Sequence, residues 1–437
     1  MQKVISTEKK PIKLWLDDIE EGALAQAKNL ANLPFIHKWI AIMPDSHQGY
    51  GMPIGGVMAT DGVIVPNAVG MDIGCGVCAV KTSLTEIDTE TLKKIMGEIR
   101  KVIPVGFSKH KEEQDEGCLK MPLKQWKDVN SISDEFDADI AGDNYPVVFN
   151  RYNNALKSLG TLGGGNHFIE IQKGSDGHIW IMIHSGSRNL GFQVAKHYNE
   201  VAKKLNLKWF SEVSPEVDLA FLPIGTPEAD DYLREMQYCV DYALANRKLM
   251  MERVKNIFVD VTDLCNNPDH KFIEALSFTE IGRLGCPVCG GDPDKMILFD
   301  EMINIAHNYA SLEHHFGKDV YVHRKGATLA REGVTGIIPG SQGTKSYIVK
   351  GKGNPDSFNS CSHGAGRLMG RKQAIRELDL EKEVKALEDK GILHSIRGAK
   401  QLDEAPSAYK DISVVMKNQE DLVEILVELT PLAVVKG

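Results

Sequence analysis

Residues 162–191 read LGGGNHFIEIQKGSDGHIWIMIHSGSRNLG. Two strand-like runs, Phe168–Gln172 and Ile179–His184, follow each other with only a polar stretch between them. Helical periodicity then runs over 189–205. A doubly wound sheet would place a helix between such strands, and none fits here. Further out, strand-like runs fall at Ile40–Met43, Val57–Ala59, Gly76–Lys81, Asp319–His323 and Tyr347–Val349. Helical periodicity is read at 19–34, 91–101, 229–258, 298–316, 367–378 and 419–429. Helices and strands mix without a regular βαβ period, so the expected class is α+β.

Composition narrows the function classes. The chain has 437 residues, enough for two ordinary domains or one large one. Apolar residues make up 42% and charged residues 25%, which excludes whole-chain disorder. No apolar run approaches the roughly 18 residues of a membrane span, and MQKVISTEKKPIKLW lacks the apolar core of a secretory signal. The eight cysteines read as thiols or metal ligands rather than a disulfide framework. Many of the 40 glycines stand in short polar runs, as in loops brought close to a ligand. Residues 106–150 are polar and read as a surface excursion. Residues 262–296 read as an insertion, in which Cys265, His270, Cys286 and Cys289 have the makings of a structural Zn²⁺ site.

Five stretches could carry chemistry. In MPDSHQGYGMPIGG (43–56) and VGMDIGCGVCAV (69–80), Asp72 and Cys75 stand three apart in a glycine-flanked loop. A carboxylate and a thiolate so placed can reach one cation, although a lone pair of this kind is more often a turn aspartate beside a buried cysteine. Asp45 and His47 are polar residues at the end of an apolar run. Asn166 and His167 follow the three glycines, which could cradle phosphate through backbone N–H groups. His184 ends an apolar strand before SGSR. His307 is placed on the 298–316 helix as a ligand, with His314 and His315 as surface residues. In NSCSHGAGRLMGR (359–371), His363 sits among small neighbours just before the 367–378 helix. A helix start with Arg367 favours phosphate, and a neutral imidazole there can attack phosphorus. Cys361 competes as the nucleophile, and the residues alone do not separate the two. Three histidines, one aspartate and one cysteine form a mixed N/O/S ligand set suited to Mn²⁺, Zn²⁺ or Fe²⁺. There is no GxxxxGK[ST], so a nucleotide would not sit on a P-loop.

Taken in order, MPDSHQGYGMPIGG, GMDIGCGV, GGGNHF, HSGSR, HRKGAT, PGSQGTKSYIV and CSHGAGR resemble the RtcB family of GTP-dependent RNA ligases. The resemblance runs from about residue 10 to the C-terminus. It implies one catalytic domain over 1–437, of the family's α+β fold, with mixed sheets and helices around a deep metal-lined cleft. It implies two Mn²⁺ ions held by Asp72, Cys75, His167, His184 and His307, with Cys75 bridging. It implies that His363 becomes guanylylated, and that Asn166 and Arg367 hold phosphates. Its guanine and ribose contacts fall on Phe168, Glu170, Asn308, the turn Pro339, Gly340, Ser341 and Gln342, Ser346, Gly364, Ala365, Gly366 and Lys436, while His167 and His307 also line the GTP site. Asp45 is assigned to organising the RNA terminus. The reaction implied joins an RNA 3′-phosphate or 2′,3′-cyclic phosphate to a 5′-hydroxyl. The alternative is a cyclic phosphodiesterase or RNA-end repair protein that does not ligate. The partners implied are GTP and RNA ends, from tRNA halves or damaged RNA. The enzyme is expected in the cytoplasm, off the membrane, as a monomer open to an accessory activator. Two departures stand out: the family usually reads PGSMG where this chain has Gln342, and the 262–296 insertion is not a general family feature.

The net charge of −9 read alone argues against a polyanion partner. Between Gly317 and Ile375, however, ten bases face three acids, a local +7 that leaves −16 to the rest. A local field steers a polyanion to a cleft, so an enzyme that grips RNA ends at one site is not excluded.

Overall fold

The computed structural model describes residues 1–123, 145–262 and 297–437. Its strands begin with β1 (Lys3–Ile5), β2 (Ile12–Leu14), β3 (Ile36–Tyr50), β4 (Met52–Thr60), β5 (Val63–Ile64) and β6 (Gly76–Lys81). Next come β7 (Phe168–Gly174), β8 (Ile179–Ser185), β9 (Leu222–Pro223), β10 (Ile303–Ala306), β11 (Asn308–His315) and β12 (Lys318–Lys325). The last are β13 (Ala327–Leu329), β14 (Thr335–Ile338), β15 (Ser346–Gly351), β16 (Ser360–Ser362) and β17 (Val423–Lys436). They form a six-stranded sheet in the order β1-β2-β3-β4-β12-β11 and a seven-stranded sheet in the order β10-β6-β8-β7-β17-β15-β14, with two small pairs, β13-β16 and β5-β9. The architecture is α+β, as expected from the adjacent strand runs.

The seven-stranded sheet positions the site. Strand β8, IWIMIHS, is buried along its whole length, as a strand covered on both faces must be. One side packs on the helix Pro227–Thr262 through Met250, Met251, Val254 and Phe258. The same core takes Leu92, Ile95, Met96 and Ile99, spaced three and four apart on the helix Thr89–Val102. Asp88 caps that helix by accepting from the N–H groups of Glu90 and Thr91, worth about 1 kcal/mol. The antiparallel register then aligns Lys436, Phe168, His184 and Val77 in one row across β17, β7, β8 and β6. Ala306 of β10 pairs with Gly76 one row on. The residues just beyond that row, Cys75, His167 and His307, are thereby brought to one end of the sheet.

Three expected helices change. The 298–316 stretch is two strands, β10 and β11, and His307 is the residue between them. Its i, i+4 spacing mimicked a helix, but eight β11 residues pair with β12, and pairing overrides local preference. Of the neighbouring histidines, His314 is exposed as expected, whereas His315 is buried against Glu313. The 419–429 stretch is a turn followed from Val423 by β17, whose Val423, Ile425 and Val427 suit a strand; Leu and Glu between them gave a helical period. The helix expected from 367 begins at Arg371, so Arg367 lies in a loop and no helix start stands beside His363. Of the 106–150 excursion, residues 124–144 lie outside the described residues, as do Cys265, His270, Cys286 and Cys289.

Candidate active site

The loop before β6 brings Asp72 and Cys75 against the ends of β7 and β8. Cys75 Sγ lies 3.5 Å from His167 Nε2 and 3.3 Å from His184 Nε2, and the three form one buried cluster. Asp72 Oδ2 is 3.7 Å from His167 Nε2. The imidazoles are oriented from behind: His167 Nδ1 faces the Leu162 carbonyl at 2.9 Å, and His184 Nδ1 faces that of Asn166 at 3.1 Å. A carbonyl only accepts, so each Nδ1 carries the hydrogen and each Nε2 turns a lone pair toward Cys75. His307 donates its backbone N–H to the Cys75 carbonyl, and its ring centroid is 5.2 Å from that of His184 and 4.8 Å from that of His363.

The electrostatics suit a cation. Burial drives His184 and His307 well below the usual histidine range, and neighbouring imidazoles push the same way, so both are neutral donors. Desolvation pushes the Asp72 carboxyl up, but the imidazoles beside it, His167 first, outweigh this and hold the group below its usual range. Burial, reinforced by Asp72, raises the Cys75 thiol well above its usual range. A divalent ion would take the place of that proton. His307 Nδ1 is buried and has no hydrogen-bond partner among the described residues. Neutral nitrogens, a carboxylate and a thiol around one point fit a borderline divalent ion of the manganese or zinc type.

Beyond this cluster stands His363, just after β16. Its Nδ1 is 2.6 Å from Asp45 Oδ2, and Asp45 is fully buried. That approach is off the line of the ring N–H, so the pair is in contact without yet making a straight hydrogen bond. The same Oδ2 accepts from the backbone N–H groups of His363 and Gly364. Gly366 has φ +73°, and a Cβ there would strike the Asp45 backbone, so the GAG run lets the loop pass over Asp45. Nε2 is left as the free nitrogen of His363. Cys361, the competing nucleophile, is buried, its Sγ rests on the Ser362 carbonyl, and burial pushes the thiol far up. The imidazole keeps 16% of its side-chain surface.

On the other side of His184, Lys436 ends β17 with Nζ 5.8 Å from the Phe168 ring centroid. Buried Glu170 lies in its field, and burial raises the Glu170 carboxyl to about 8 against the pull of Lys436. Ser346 Oγ accepts from Gly340 N and from Gln172, tying the Pro339–Gln342 turn to this strand row. Gln342 donates to the Glu404 carbonyl at 2.8 Å. Asn308 is turned toward the metal-type cluster: its side chain donates to the Asp72 carbonyl and accepts from Gly326 N. Arg367 is engaged within the protein, donating to Glu404 and to the carbonyls of Asp403 and Met369. Asn166 contributes the carbonyl that orients His184, and Ala365 is buried in the core under the His363 loop.

Sequence reading missed several participants. Fully buried Arg247 donates to Gly74 O, Ser185 O, Ile305 O and Asn304 Oδ1, tying together the ends of β6, β8 and β10. Its signal was a charge on the core face of a long helix. Arg371, Glu404 and Tyr409 also meet here, with no motif to announce them. A groove of about 690 Å³ between the helices Thr89–Val102 and Leu380–Glu388 has none of these residues in its lining and is separate from the site.

A family model described as tRNA-splicing ligase RtcB matches residues 26–275 and 288–437. The break at 276–287 falls inside the 262–296 stretch. An RNA-splicing ligase RtcB of Escherichia coli K12 is 39% identical, covering 100% of this chain and 99% of that protein. tRNA-splicing ligases RtcB of Methanococcus maripaludis and Pyrobaculum aerophilum are 33% and 31% identical; they cover 97% and 98% of this chain, and 93% and 95% of their own lengths. Among the described residues no helix is long and apolar enough to cross a membrane.

Proposed function

The chain belongs to the RtcB family and is an RNA ligase, and we propose that it joins RNA 3′-phosphate or 2′,3′-cyclic phosphate ends to 5′-hydroxyl ends through a guanylylated His363. One observation carries this reading. An imidazole backed by a buried carboxylate, with one nitrogen free, stands against the His307 ring beside a Cys–His–His cluster. A metal-dependent phosphodiesterase would need the cluster but not the Asp45–His363 pair.

In this mechanism His363 Nε2 attacks the α-phosphorus of GTP, forming an N–P bond as pyrophosphate leaves. Asp45 holds Nδ1 and stabilises the positive charge that develops on the ring. An oxygen of the RNA 3′-phosphate then takes the GMP and frees the imidazole. The RNA 5′-hydroxyl attacks that activated 3′-phosphate and GMP departs. Asp72, Cys75, His167, His184 and His307 would hold two Mn²⁺ ions, which would supply Lewis-acid charge for these displacements. Lys436, Glu170 and Phe168 bind guanine, with the Pro339–Gln342 turn, Ser346 and the Gly364–Gly366 backbone around the nucleotide. Asn166 and Arg367 lie on the phosphate side, with Arg367 held by Glu404 and the Asp403 carbonyl. The substrates are the ends of tRNA halves or damaged RNA. We place the enzyme in the cytoplasm as a single domain and a monomer, where Cys75 stays reduced.

Incubation with Mn²⁺ and GTP labelled at the α-phosphate should leave covalent label on wild type and none on His363→Ala. Equal labelling of the two would overturn the nucleophile. Cyclic phosphate opening without end joining by wild type would favour the phosphodiesterase.

A further inference from the structure

Glu404 ends the 3₁₀ turn Ala399–Glu404 and is buried, with only 4% of its surface exposed. Three cations from two parts of the chain converge on its carboxylate. Arg367 Nη1 and Arg371 Nε each lie 3.1 Å from Oε1, and Lys436 Nζ lies 3.6 Å from Oε2. Tyr409, on the other side, donates its hydroxyl to Oε2. The backbone is pinned as well, by Gln342 on the Glu404 carbonyl and Arg367 on that of Asp403.

The arrangement exceeds what packing requires. A buried carboxylate needs one cation, and this one has three, an excess of two positive charges in contact with it. Asp403 and Glu170 lie in the same field, but neither comes within ion-pair distance of the three cations, and Glu170 is mostly protonated below about 8. The cations also face different parts of the site. Lys436 lies beside Phe168 in the strand row. Arg371 lies over the glycine run, where a Cβ on Gly165 would come 2.8 Å from its Nη2. Arg367 is on the loop that carries His363. Burial pulls Lys436 toward the neutral amine, and Glu404 is the first group opposing it.

We propose that Glu404 is the positioning residue of the nucleotide site, a single buried carboxylate that sets the spacing between Lys436 at the base end and Arg367 and Arg371 at the phosphate end. This rests on the ligase reading above. Glu404 does not touch the nucleotide. It acts through the cations, which would otherwise repel one another and swing apart. The Gln342 contact gives that residue a place in the same device, since it holds the Glu404 backbone to the turn beside the base.

The test uses full-length protein, with GTP binding by calorimetry and the initial rate of self-guanylylation against GTP concentration. Glu404→Gln keeps the shape and loses the charge. Its GTP half-saturation and dissociation constant should rise about tenfold, while the plateau rate changes less than about threefold. Glu404→Asp should recover part of the loss. In a Lys436→Met background the same Gln substitution should add much less, since the two act as a unit. A merely structural Glu404 would lower the labelled fraction without moving half-saturation, and would add fully to Lys436→Met. Unchanged or tighter GTP binding by Glu404→Gln overturns the proposal. If that variant does not fold, Tyr409→Phe removes the hydroxyl from Oε2 and keeps every charge; it should weaken GTP binding about threefold, and wild-type affinity would overturn the proposal. Wild type that binds GTP without labelling would refute the ligase reading instead, and the binding arm still judges Glu404.

Discussion

Asp45→Asn isolates the charge behind the nucleophile. Oδ2 is 2.6 Å from His363 Nδ1 and accepts two backbone N–H groups at 3.1 and 3.3 Å, while Oδ1 has no partner among the described residues. The asparagine amide must therefore place its oxygen at Oδ2, because an NH₂ there would face two donors. All three contacts survive, and the negative charge alone is lost. When Nε2 bonds to phosphorus the ring gains about one positive charge. With roughly 4 Å between charge centres and an effective dielectric near 20, the lost attraction is about 4 kcal/mol. That corresponds to a roughly 10³-fold slower guanylylation. Single-turnover labelling with α-labelled GTP and Mn²⁺ measures it, and GTP half-saturation should stay within about threefold. The NH₂ left at the Oδ1 position is a buried donor without a partner, costing about 1–3 kcal/mol of stability. A thermal melt should show a lower but cooperative transition. A folded Asp45→Asn enzyme that labels within tenfold of wild type would refute the reasoning, since the carboxylate charge would then play no part.

Removing the thiol in Cys75→Ser should weaken Mn²⁺ binding by about 100-fold or more, read by calorimetry or by the spin signal of free Mn²⁺; unchanged affinity would exclude Cys75 as a ligand. Burial raises the Glu170 carboxyl to about 8, so its ionised form becomes available only as pH rises toward that value. GTP affinity should increase between pH 6.5 and 8, by up to about tenfold per unit, and Glu170→Gln should be flat. The stability effect has the opposite slope: the folded state keeps a proton the unfolded chain loses above 4.5, so stability falls as pH rises from 4.5 to 8. Glu313→Gln strands the fully buried guanidinium of Arg324, 2.5 Å away, and should cost about 3–5 kcal/mol in urea unfolding. Burial pushes the Glu313 carboxyl up, but His315, Arg324 and Ser311 together hold it below its usual range. Its contribution is complete above the unfolded value of 4.5 and disappears as pH falls through the folded one, a loss the glutamine variant should not show.

The strand row that builds the site was legible because its sequence is unambiguous. In 168–172 and 179–184 most of the apolar residues are isoleucine, glycines stand on either side, and each run has polar residues at one end. Asp72, Cys75, His167 and His184 could be nominated because glycines flank them. His307 was nominated for a sound reason on the wrong element, since INIAHNYASLEHH satisfies a period of two and a period near four. Only the β12 partner decides between them. The choice between His363 and Cys361 needed burial, which adjacent residues do not reveal. Asp45 and Glu404 face groups tens to hundreds of residues away; the MPDSH stretch offered Asp45 without showing its His363 partner, and Glu404 carries no local pattern. Lys436 reads as chain end in sequence, yet it is the last rung of a strand paired on Phe168.

The same geometry revises the meaning of the local +7. Of the ten bases between 317 and 375, Arg324 and Arg331 face Glu313, Lys345 faces Glu428, Lys318 faces Asp61, and Arg367 and Arg371 share Glu404. Burial pulls Lys325 down to about 7, with its amine on two backbone carbonyls. Lys352 donates to the Glu420 carbonyl, and among the described residues Lys325, Lys350, Lys352 and Lys372 are in no ion pair. A chain built to coat a long polyanion would leave most of its cations open. Here most are neutralised close at hand, and a positive excess remains at the Glu404 hub, between the base side and His363. An excess confined there recognises a charge that arrives at one point, such as a triphosphate or a terminal phosphate. It gives little purchase on the many phosphates of a duplex. A net charge of −9 and a nucleic-acid substrate are thus compatible, because the site selects an end.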